Sequence, residues 1–226
     1  MLAVIRILSY LCSPVSYYFE TMKKKLMWML AAILCCGTMN VQAQEEQEFE
    51  VTEGDFNVVK QKGKTGSVTF DYDHARMGNL RTKTIDKETV VEYLQKNDEK
   101  SFRKWDDFKQ EGKEMFIKRW NEEKSKCIKL IEKGDADYQI IIKADLFDAG
   151  NSGSATWSWS KRDGGIVISG TLEVLDASGK SVCKMKINRY RGASSRNVDL
   201  KAPTFHRRFV LFHKSFAKDL LETILD

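Results

Sequence analysis

Polar and apolar residues alternate along four stretches of this chain, which is the pattern of strands that bury one face. The predicted strands are residues 67–72, 138–147, 166–175 and 182–190. In the second, the alternation predicts one inward face made of Tyr138, Ile140, Ile142, Ala144 and Leu146. In the third, it predicts a face made of Ile166, Ile168, Gly170, Leu172 and Val174. The third and fourth strands are joined by the turn sequence DASG at 176–179, which predicts a hairpin.

Apolar residues three or four apart predict helices in the first half of the chain. Asp86 is a candidate N-cap for a helix through residues 90–94, and Asp98 or Ser101 for a second helix. The second helix carries an apolar stripe that starts at Phe102, Trp105 and Phe108 and resumes after Gly112.

A single straight helix over residues 99–131 would be about 50 Å long, whereas a globule of this size is roughly 40 Å across. We therefore predict a break near Gly112 and a helix end near Lys124. A short strand is then expected within residues 127–131.

The end of the chain, residues 204–225, has a regular helical stripe directly after Pro203, a common position before a helix start. The stripe residues are spaced by four, three, four and four, and they are Phe205, Phe209, Phe212, Phe216 and Leu220. The order of elements is a strand, helices, a meander and a helix, which indicates an α+β fold. We expect a mostly antiparallel sheet with helices packed on one face and a C-terminal amphipathic helix.

Residues 22–43, MKKKLMWMLAAILCCGTMNVQA, have the three parts of a secretory signal peptide. Three lysines precede an apolar run of eleven residues, too short for a membrane span of about 20 residues. Val41 and Ala43 supply small residues for cleavage before Gln44. We predict an exported protein, periplasmic or secreted, and lipidation at Cys35 or Cys36 is less favoured because Leu34 precedes that pair.

The leader divides the chain into three parts. Residues 1–21 precede a finished signal and are interpreted as an over-extended start, and residues 44–226 as a single α+β domain with a loose acidic beginning over 44–53. Of the 37 basic and 32 acidic residues, four and one respectively lie in the first 43 positions, so the other 183 residues carry a net charge of +2. This weak charge gives no electrostatic case for nucleic acid as a partner.

Two cysteines, Cys127 and Cys183, remain after the leader. In an oxidising compartment they could pair, and the alternative is two separate buried thiols. Sequence alone does not set the Cα separation that a disulfide requires.

The chain shows no established catalytic, metal or cofactor motif. His206 and His213 are seven residues apart, whereas zinc ligands on one helix are three or four apart. Four oxygen-bearing residues of DLFDAGNSGS do not follow the calcium-loop spacing and are better interpreted as a strand end and turn; they are Asp145, Asp148, Asn151 and Ser152. No Gly-x-Ser-x-Gly elbow is present. We therefore expect a protein that is not an enzyme and has no cofactor or metal.

Trp157 and Trp159 alternate with small polar residues, which would place both indoles on one face. Arg189 and Arg191 follow in the later hairpin. Aromatic and arginine side chains together are typical of recognition surfaces for sugars, peptides or proteins. The alternative is that the indoles cover the core or a sheet edge.

Three blocks of sequence carry a resemblance to known proteins: SVTFDYDHARM, GDADYQIIIKADLFDAGNSGS and GGIVISGTLEVLDASGKSVCKMKINRYRG. Together with the closing helix, they resemble a group of exported proteins of unknown function from Gram-negative bacteria. The plan is more loosely similar to periplasmic α+β domains of curli-assembly lipoproteins, penicillin-binding-protein activators and the amino-terminal domain of TolB. The first resemblance implies export and fold, and the second implies an accessory role in the envelope.

We therefore expect an exported accessory or scaffold protein that acts by protein contacts in the cell envelope. The alternatives are a small-ligand or glycan binder that uses the two tryptophans, and a hydrolase whose site has no recognised motif. The expected partner is an envelope protein or glycan, with no membrane span after signal cleavage.

Overall fold

A mixed β-sheet with helices beside it forms the frame of the protein in the computed structural model, which describes residues 47–79, 84–122, 127–150, 165–193 and 204–225. The strands in these ranges are β1 (Phe49–Gly54), β2 (Thr65–Asp71), β3 (Arg76–Asn79), β4 (Thr84–Thr89), β5 (Lys129–Leu130), β6 (Tyr138–Asp148), β7 (Val167–Asp176) and β8 (Ser181–Arg191). The helices are α1 (Val90–Asn97), α2 (Glu99–Phe102), α3 (Trp105–Glu122) and α4 (Phe205–Leu225).

The sheet has the order β1-β8-β7-β6-β2-β5. Strands β6, β7, β8 and β1 are successive antiparallel neighbours, while β2 runs parallel to both β6 and β5. Where β2 ends, β3 takes over as the parallel neighbour of β6, and β4 pairs antiparallel with β3. The long strand β6 is therefore the centre of the sheet.

Helices α3 and α4 cover one face of the sheet. Phe116 of α3 lies 5.2 Å from Phe70 of β2, and Phe216 of α4 lies 4.9 Å from Tyr190 of β8, measured between ring centroids. The other face is largely polar at its centre. In its central row, residues of five neighbouring strands lie side by side as cross-strand partners. They are Asp71, Lys143, Thr171, Lys186 and Glu50.

This architecture confirms the predicted α+β fold, with a mostly antiparallel sheet, helices on one face and an amphipathic C-terminal helix. The four predicted strands are β2, β6, β7 and β8. In α4, the predicted stripe is buried from Phe209 to Leu220. The predicted hairpin is also present, since Gly179 has a φ of +81° and the Asp176 carboxylate accepts hydrogen bonds from the Ser178 and Lys180 backbone N–H groups.

The predicted break near Gly112 is wrong, because α3 is continuous from Trp105 to Glu122. Gly112 is buried, and a Cβ added there would lie 2.6 Å from Nδ1 and Cε1 of His213. Gly112 therefore lets α3 and α4 approach each other. The break falls instead between α2 and α3, which leaves α3 with 18 residues, about 27 Å. The predicted short strand is present as β5.

The predicted inward face of β6 is correct only as far as Ala144. A bulge places the extra residue Asp145 between Ala144 and Leu146, so Phe147 rather than Leu146 is the next buried side chain. Gly170 lies opposite the bulge, where a Cβ would overlap the Lys143 carbonyl oxygen and lie 2.9 Å from the Ala144 Cα. The bulge therefore requires glycine on β7.

Two further predictions are corrected in the first half of the chain. Residues 49–54, predicted to be part of a loose start, form β1 because β8 provides a pairing partner. Asp86 lies in β4, and Thr89 caps α1 instead. The Thr89 hydroxyl accepts from the Glu92 N–H at 3.3 Å, and the Glu92 carboxylate accepts from the Thr89 N–H at 2.8 Å. In the parts of the chain that the structure describes, no helix has the length and apolar character needed to cross a membrane.

Candidate functional site

The candidate site is the outer edge of β1. Among the described residues, β1 has β8 as its only strand neighbour. The Glu48 carbonyl accepts a hydrogen bond from the Asn188 N–H at 2.8 Å, so these two residues face each other as a hydrogen-bonded pair. Because this orientation alternates along an antiparallel strand, the N–H groups of Phe49 and Val51 point away from β8. The edge therefore presents donors to a further strand.

The side chains of β1 anchor one end of the strand and leave the remainder accessible. Phe49 is buried and lies 5.2 Å from Tyr190 and 5.6 Å from Phe216 between ring centroids. Val51 is two residues further along the same face, yet this residue is 52% exposed. Val51 can therefore add an apolar side-chain contact to the backbone hydrogen bonds that a further strand would make with β1.

The edge has charge of one sign. Glu50 and Glu53 are exposed, and Glu53 lies 3.3 Å from Lys184 of the neighbouring strand. No lysine, arginine or proline occurs between residues 45 and 55, whereas five acidic residues precede Gly54 in that stretch. A second copy of β1 paired antiparallel about the strand centre would place Glu50 opposite Glu53, and like charges directly opposite are destabilising. The edge is therefore matched to a basic strand rather than to itself.

A second edge strand, β4, lies off the main path of the sheet and has a different character. It also exposes an apolar residue, Ile85, at 62%, and among the described residues it pairs with β3 alone. However, β4 carries Lys87 between Asp86 and Glu88. Mixed charges with lysine are typical of edges protected against pairing. We therefore select β1 as the candidate site.

Two of the four predicted binding residues lie near this edge. Arg189 and Arg191 are in β8, just beyond the part of β8 that pairs with β1. Arg189 is exposed and has a φ of +49°, in a bulge where its N–H donates to the Ser169 hydroxyl at 3.1 Å. Left-handed backbone is uncommon for a residue other than glycine. Trp157 and Trp159 lie outside the described residues, so the shared recognition surface stays a prediction.

The two cysteines are free buried thiols in separate parts of the sheet. Cys183 lies in β8 and Cys127 directly before β5, with β7, β6 and β2 between those strands. At about 4.8 Å per strand step, the two strands are roughly 19 Å apart, while a disulfide needs Cα atoms within about 7 Å. In this structure the two cysteines are therefore separate buried thiols, which was the alternative to a disulfide. Burial raises the pKa of both thiols, that of Cys183 to about 12, so neither is a ready nucleophile.

The histidines do not form a metal site. His206 lies 2.7 Å from the Glu111 carboxylate, and His74 is exposed. Within the described ranges, no group of three or more candidate ligands is assembled. The Asp148 carboxylate accepts a hydrogen bond from the Gly150 N–H at 2.8 Å, as in a turn. Asn151 lies outside the described residues.

The sequence analysis did not find the buried pair His213 and Tyr72, which are both fully inaccessible. The His213 Nε2 and the Tyr72 hydroxyl oxygen are 2.9 Å apart, and Nδ1 lies 2.8 Å from the Phe209 carbonyl oxygen. This arrangement fits a neutral ring that donates from Nδ1 and accepts from Tyr72. Burial lowers the pKa of His213 to about 4. The pair is satisfied and enclosed, which indicates a structural role.

No protein-family model matches this chain, and no curated protein sequence matches it. Among solved structures, it is similar to two structures of a PelC dodecamer from Paraburkholderia phytofirmans, one of them a point variant. For the variant the identity is 13% and the TM-score 0.32, with 75% of this chain and 93% of that chain covered. For the other structure the identity is 11% and the TM-score 0.31, with 75% of this chain and 94% of that chain covered. A likeness at this level carries no functional argument.

Proposed function

We propose that this chain is an exported accessory or scaffold protein of the cell envelope, and that it binds an extended basic segment of a partner protein along the outer edge of β1. The observation that carries the proposal is the outer side of β1, which pairs with none of the described strands and has outward N–H groups and the half-exposed Val51. The leader pattern of residues 22–43 supports the location.

Strand addition suits this edge because main-chain hydrogen bonds provide affinity while side chains provide specificity. Phe49 is packed against Tyr190 and Phe216, so the anchored end of β1 is already ordered before a partner arrives. Little conformational entropy is then lost on the side of this protein. The bulge between Val51 and Glu53 interrupts regular pairing, which confines the docking segment to about four residues that end at Val51.

The partner chemistry follows from charge. Glu50 precedes Val51 in the docking segment, so a lysine or arginine on the added strand would lie opposite the Glu50 carboxylate and an apolar residue would face Val51. Acidic residues before β1 would also attract a basic segment during encounter. A partner strand that alternates basic and β-branched residues satisfies both requirements.

The proposal is tested with two synthetic peptides of eight residues, one alternating lysine with valine and one alternating glutamate with valine. Binding is measured by fluorescence anisotropy. The lysine peptide should bind and the glutamate peptide should not. Val51→Pro should weaken binding at least about tenfold, because proline removes the outward N–H without removing a hydrogen bond to β8.

Two matched variants separate edge pairing from general effects. Val51→Thr keeps the N–H and the branched shape and should bind within a few-fold of the original protein. Ile85→Thr changes an exposed apolar residue on the other edge and should have no effect. If Val51→Pro binds the lysine peptide as well as the original protein does, β1 is not the docking edge. N-terminal sequencing of protein from the native host tests export, which predicts Gln44 as the first residue.

A further inference from the structure

A basic cleft lies at the opposite side of the sheet from β1, beside β2 and β5. Its volume is about 380 Å³, and it is lined by Lys62, Gly63, Lys64, Thr65, Asn121, Cys127 and Lys129. These residues come from three parts of the chain: the loop before β2, the end of α3 and the segment around β5. This volume lies at the lower end of the range for small-molecule sites.

The loop wall of the cleft is formed by a tight turn. The Lys64 N–H donates to the Gln61 carbonyl at 3.4 Å, and Gly63 has a φ of +88°. Glycine at the third position with positive φ is the requirement of a type II turn. The turn places Lys62 and Lys64 on either side of Gly63, where no side chain stands between them.

The other two walls are held to the loop by hydrogen bonds. The Asn121 side chain donates to the Leu130 carbonyl at 2.9 Å and accepts from the Leu130 N–H at 3.0 Å. The Trp120 indole N–H donates to the Ile128 carbonyl at 2.9 Å, and the Lys129 N–H donates to the Lys64 carbonyl at 3.0 Å. The end of α3, β5 and the loop are thus fixed relative to one another, so the cleft is formed before any ligand binds.

The charge of the cleft is unbalanced. Three ammonium groups line it, those of Lys62, Lys64 and Lys129, and none of the described lining residues carries a carboxylate. The Lys64 ammonium lies 2.7 Å from the Asp137 carboxylate, whose pKa is lowered to about 2 by that contact and by the Thr65 N–H. In the described part of the chain, Lys62 and Lys129 have no ion pair. Two uncompensated positive charges therefore remain on fixed walls.

We infer that this cleft binds a phosphate group, either as the free ion or as an ester on a small molecule. A phosphate monoester carries a charge of about −1.5 to −2 at neutral pH, which matches the two uncompensated ammonium groups. Lysine binds phosphate as a point charge and needs no bidentate geometry. Cys127, which is buried, also lines the cleft, and the volume of about 380 Å³ leaves space for an ester substituent.

Phosphate binding is independent of the β1 edge, because β8, β7, β6 and β2 lie between β1 and β5 in the sheet. Failure of one proposal therefore leaves the other standing. The cleft is also distinct from Arg189 and Arg191 of the predicted recognition surface, which are on β8.

The test uses three probes at low ionic strength: inorganic phosphate, glucose 6-phosphate and glucose. Binding is followed by amide chemical shifts and by calorimetry. Phosphate and glucose 6-phosphate should shift the Gly63 and Lys129 amides, while glucose should not. A tighter complex with glucose 6-phosphate identifies an ester as the ligand, and equal affinities identify the free ion.

Charge removal tests the assignment of the lysines. The double variant Lys62→Gln/Lys129→Gln should raise the Kd for phosphate at least about tenfold, since a hydrogen bond to a charged group is commonly worth that factor. The control Lys143→Gln/Lys186→Gln removes two exposed lysines from the polar face of the sheet and should change the Kd by less than about twofold.

Three results would overturn the inference. They are an unchanged Kd in Lys62→Gln/Lys129→Gln, an equal loss in both double variants, and phosphate-induced shifts confined to residues far from the cleft. All four lysines are exposed, so both variants should unfold within a few degrees of the original protein. The amide shifts of the unmodified protein provide a readout that does not depend on any variant.

Discussion

Gly112→Ala is a direct test of how α3 packs on α4. In an exposed helix, replacing glycine by alanine stabilises the protein by about 1 kcal/mol. At Gly112 the new Cβ would lie 2.6 Å from Nδ1 and Cε1 of His213 and 3.0 Å from its Cγ. Carbon contacts are most favourable at about 3.5–4.0 Å, so the ring would have to move by about 1 Å.

The surroundings of His213 oppose such a movement. The ring is fully buried, and its centroid lies 4.7 Å from that of Phe70 and 4.6 Å from that of Phe209. Overpacking a core commonly costs about 1–3 kcal/mol, and loss of the hydrogen bond to Tyr72 adds about 1–3 kcal/mol. After the gain in helix propensity, the net loss of stability should be about 1–5 kcal/mol.

The free energy of unfolding is measured by urea denaturation at neutral pH, with thermal unfolding as a second measurement. Each kcal/mol should lower Tm by about 2–4 °C in a domain of this size. The same substitution is then made in a His213→Ala background, where the space is open. There Gly112→Ala should be neutral or stabilising by up to about 1 kcal/mol. The packing argument is refuted if Gly112→Ala stabilises the original protein, or if its effect is the same in both backgrounds.

Three further predictions concern pH, the sheet bulge and a helix cap. Because burial lowers the pKa of His213 from 6.5 to about 4, the unfolded chain binds a proton between these pH values that the folded chain does not. Stability should therefore fall by roughly 2 kcal/mol from pH 7 to pH 5, measured by urea denaturation at each pH. Gly170→Ala should lower the free energy of unfolding by more than about 2 kcal/mol, because its Cβ overlaps the Lys143 carbonyl. Thr89→Ala should lower it by about 1 kcal/mol through loss of the α1 cap.

Each of these predictions has its own control. His213→Gln should flatten the pH slope in that window, and an unchanged slope would assign the effect to other groups. The lowered pKa of the Asp137 carboxyl affects stability only at lower pH, near 4 and below. Thr89→Ser keeps the capping oxygen and should stay close to the original stability. A Gly170→Ala protein of unchanged stability would contradict the close approach at the bulge.

The elements that were predicted correctly are those in which one face is buried, and in which apolar and polar residues alternate regularly. Strands β7 and β8 and helix α4 each have one buried face, and their apolar residues recur at the period of the element. The prediction for β6 fails at Asp145 because a bulge depends on the opposite strand, where Gly170 alone allows the approach.

The β1 edge and the basic cleft depend on segments that are distant in the sequence and become neighbours only in the folded chain. The acidic stretch before Gly54 has no strong strand signal, and it becomes β1 only because β8 pairs with it. The cleft brings Lys62 and Asn121 together although they are far apart in sequence. In the sequence, the cleft is marked locally only by the lysines that alternate around Gly63. An ordinary surface turn would explain this pattern equally well, because the sequence does not show that β5 lies beside the turn.

The sequence by itself determined the fold class and the buried faces of β7 and the last helix, and it predicts the export signal. These properties follow from side-chain periodicity and from composition, which are local. The tertiary structure alone decided that Gly112 is a helix contact, that Cys127 and Cys183 lie in separate parts of the sheet, and that β1 has β8 as its one neighbour among the described strands. The physical reason is that each of these features depends on which strands and helices are neighbours in space. The packing of the whole sheet and its helices determines these neighbours.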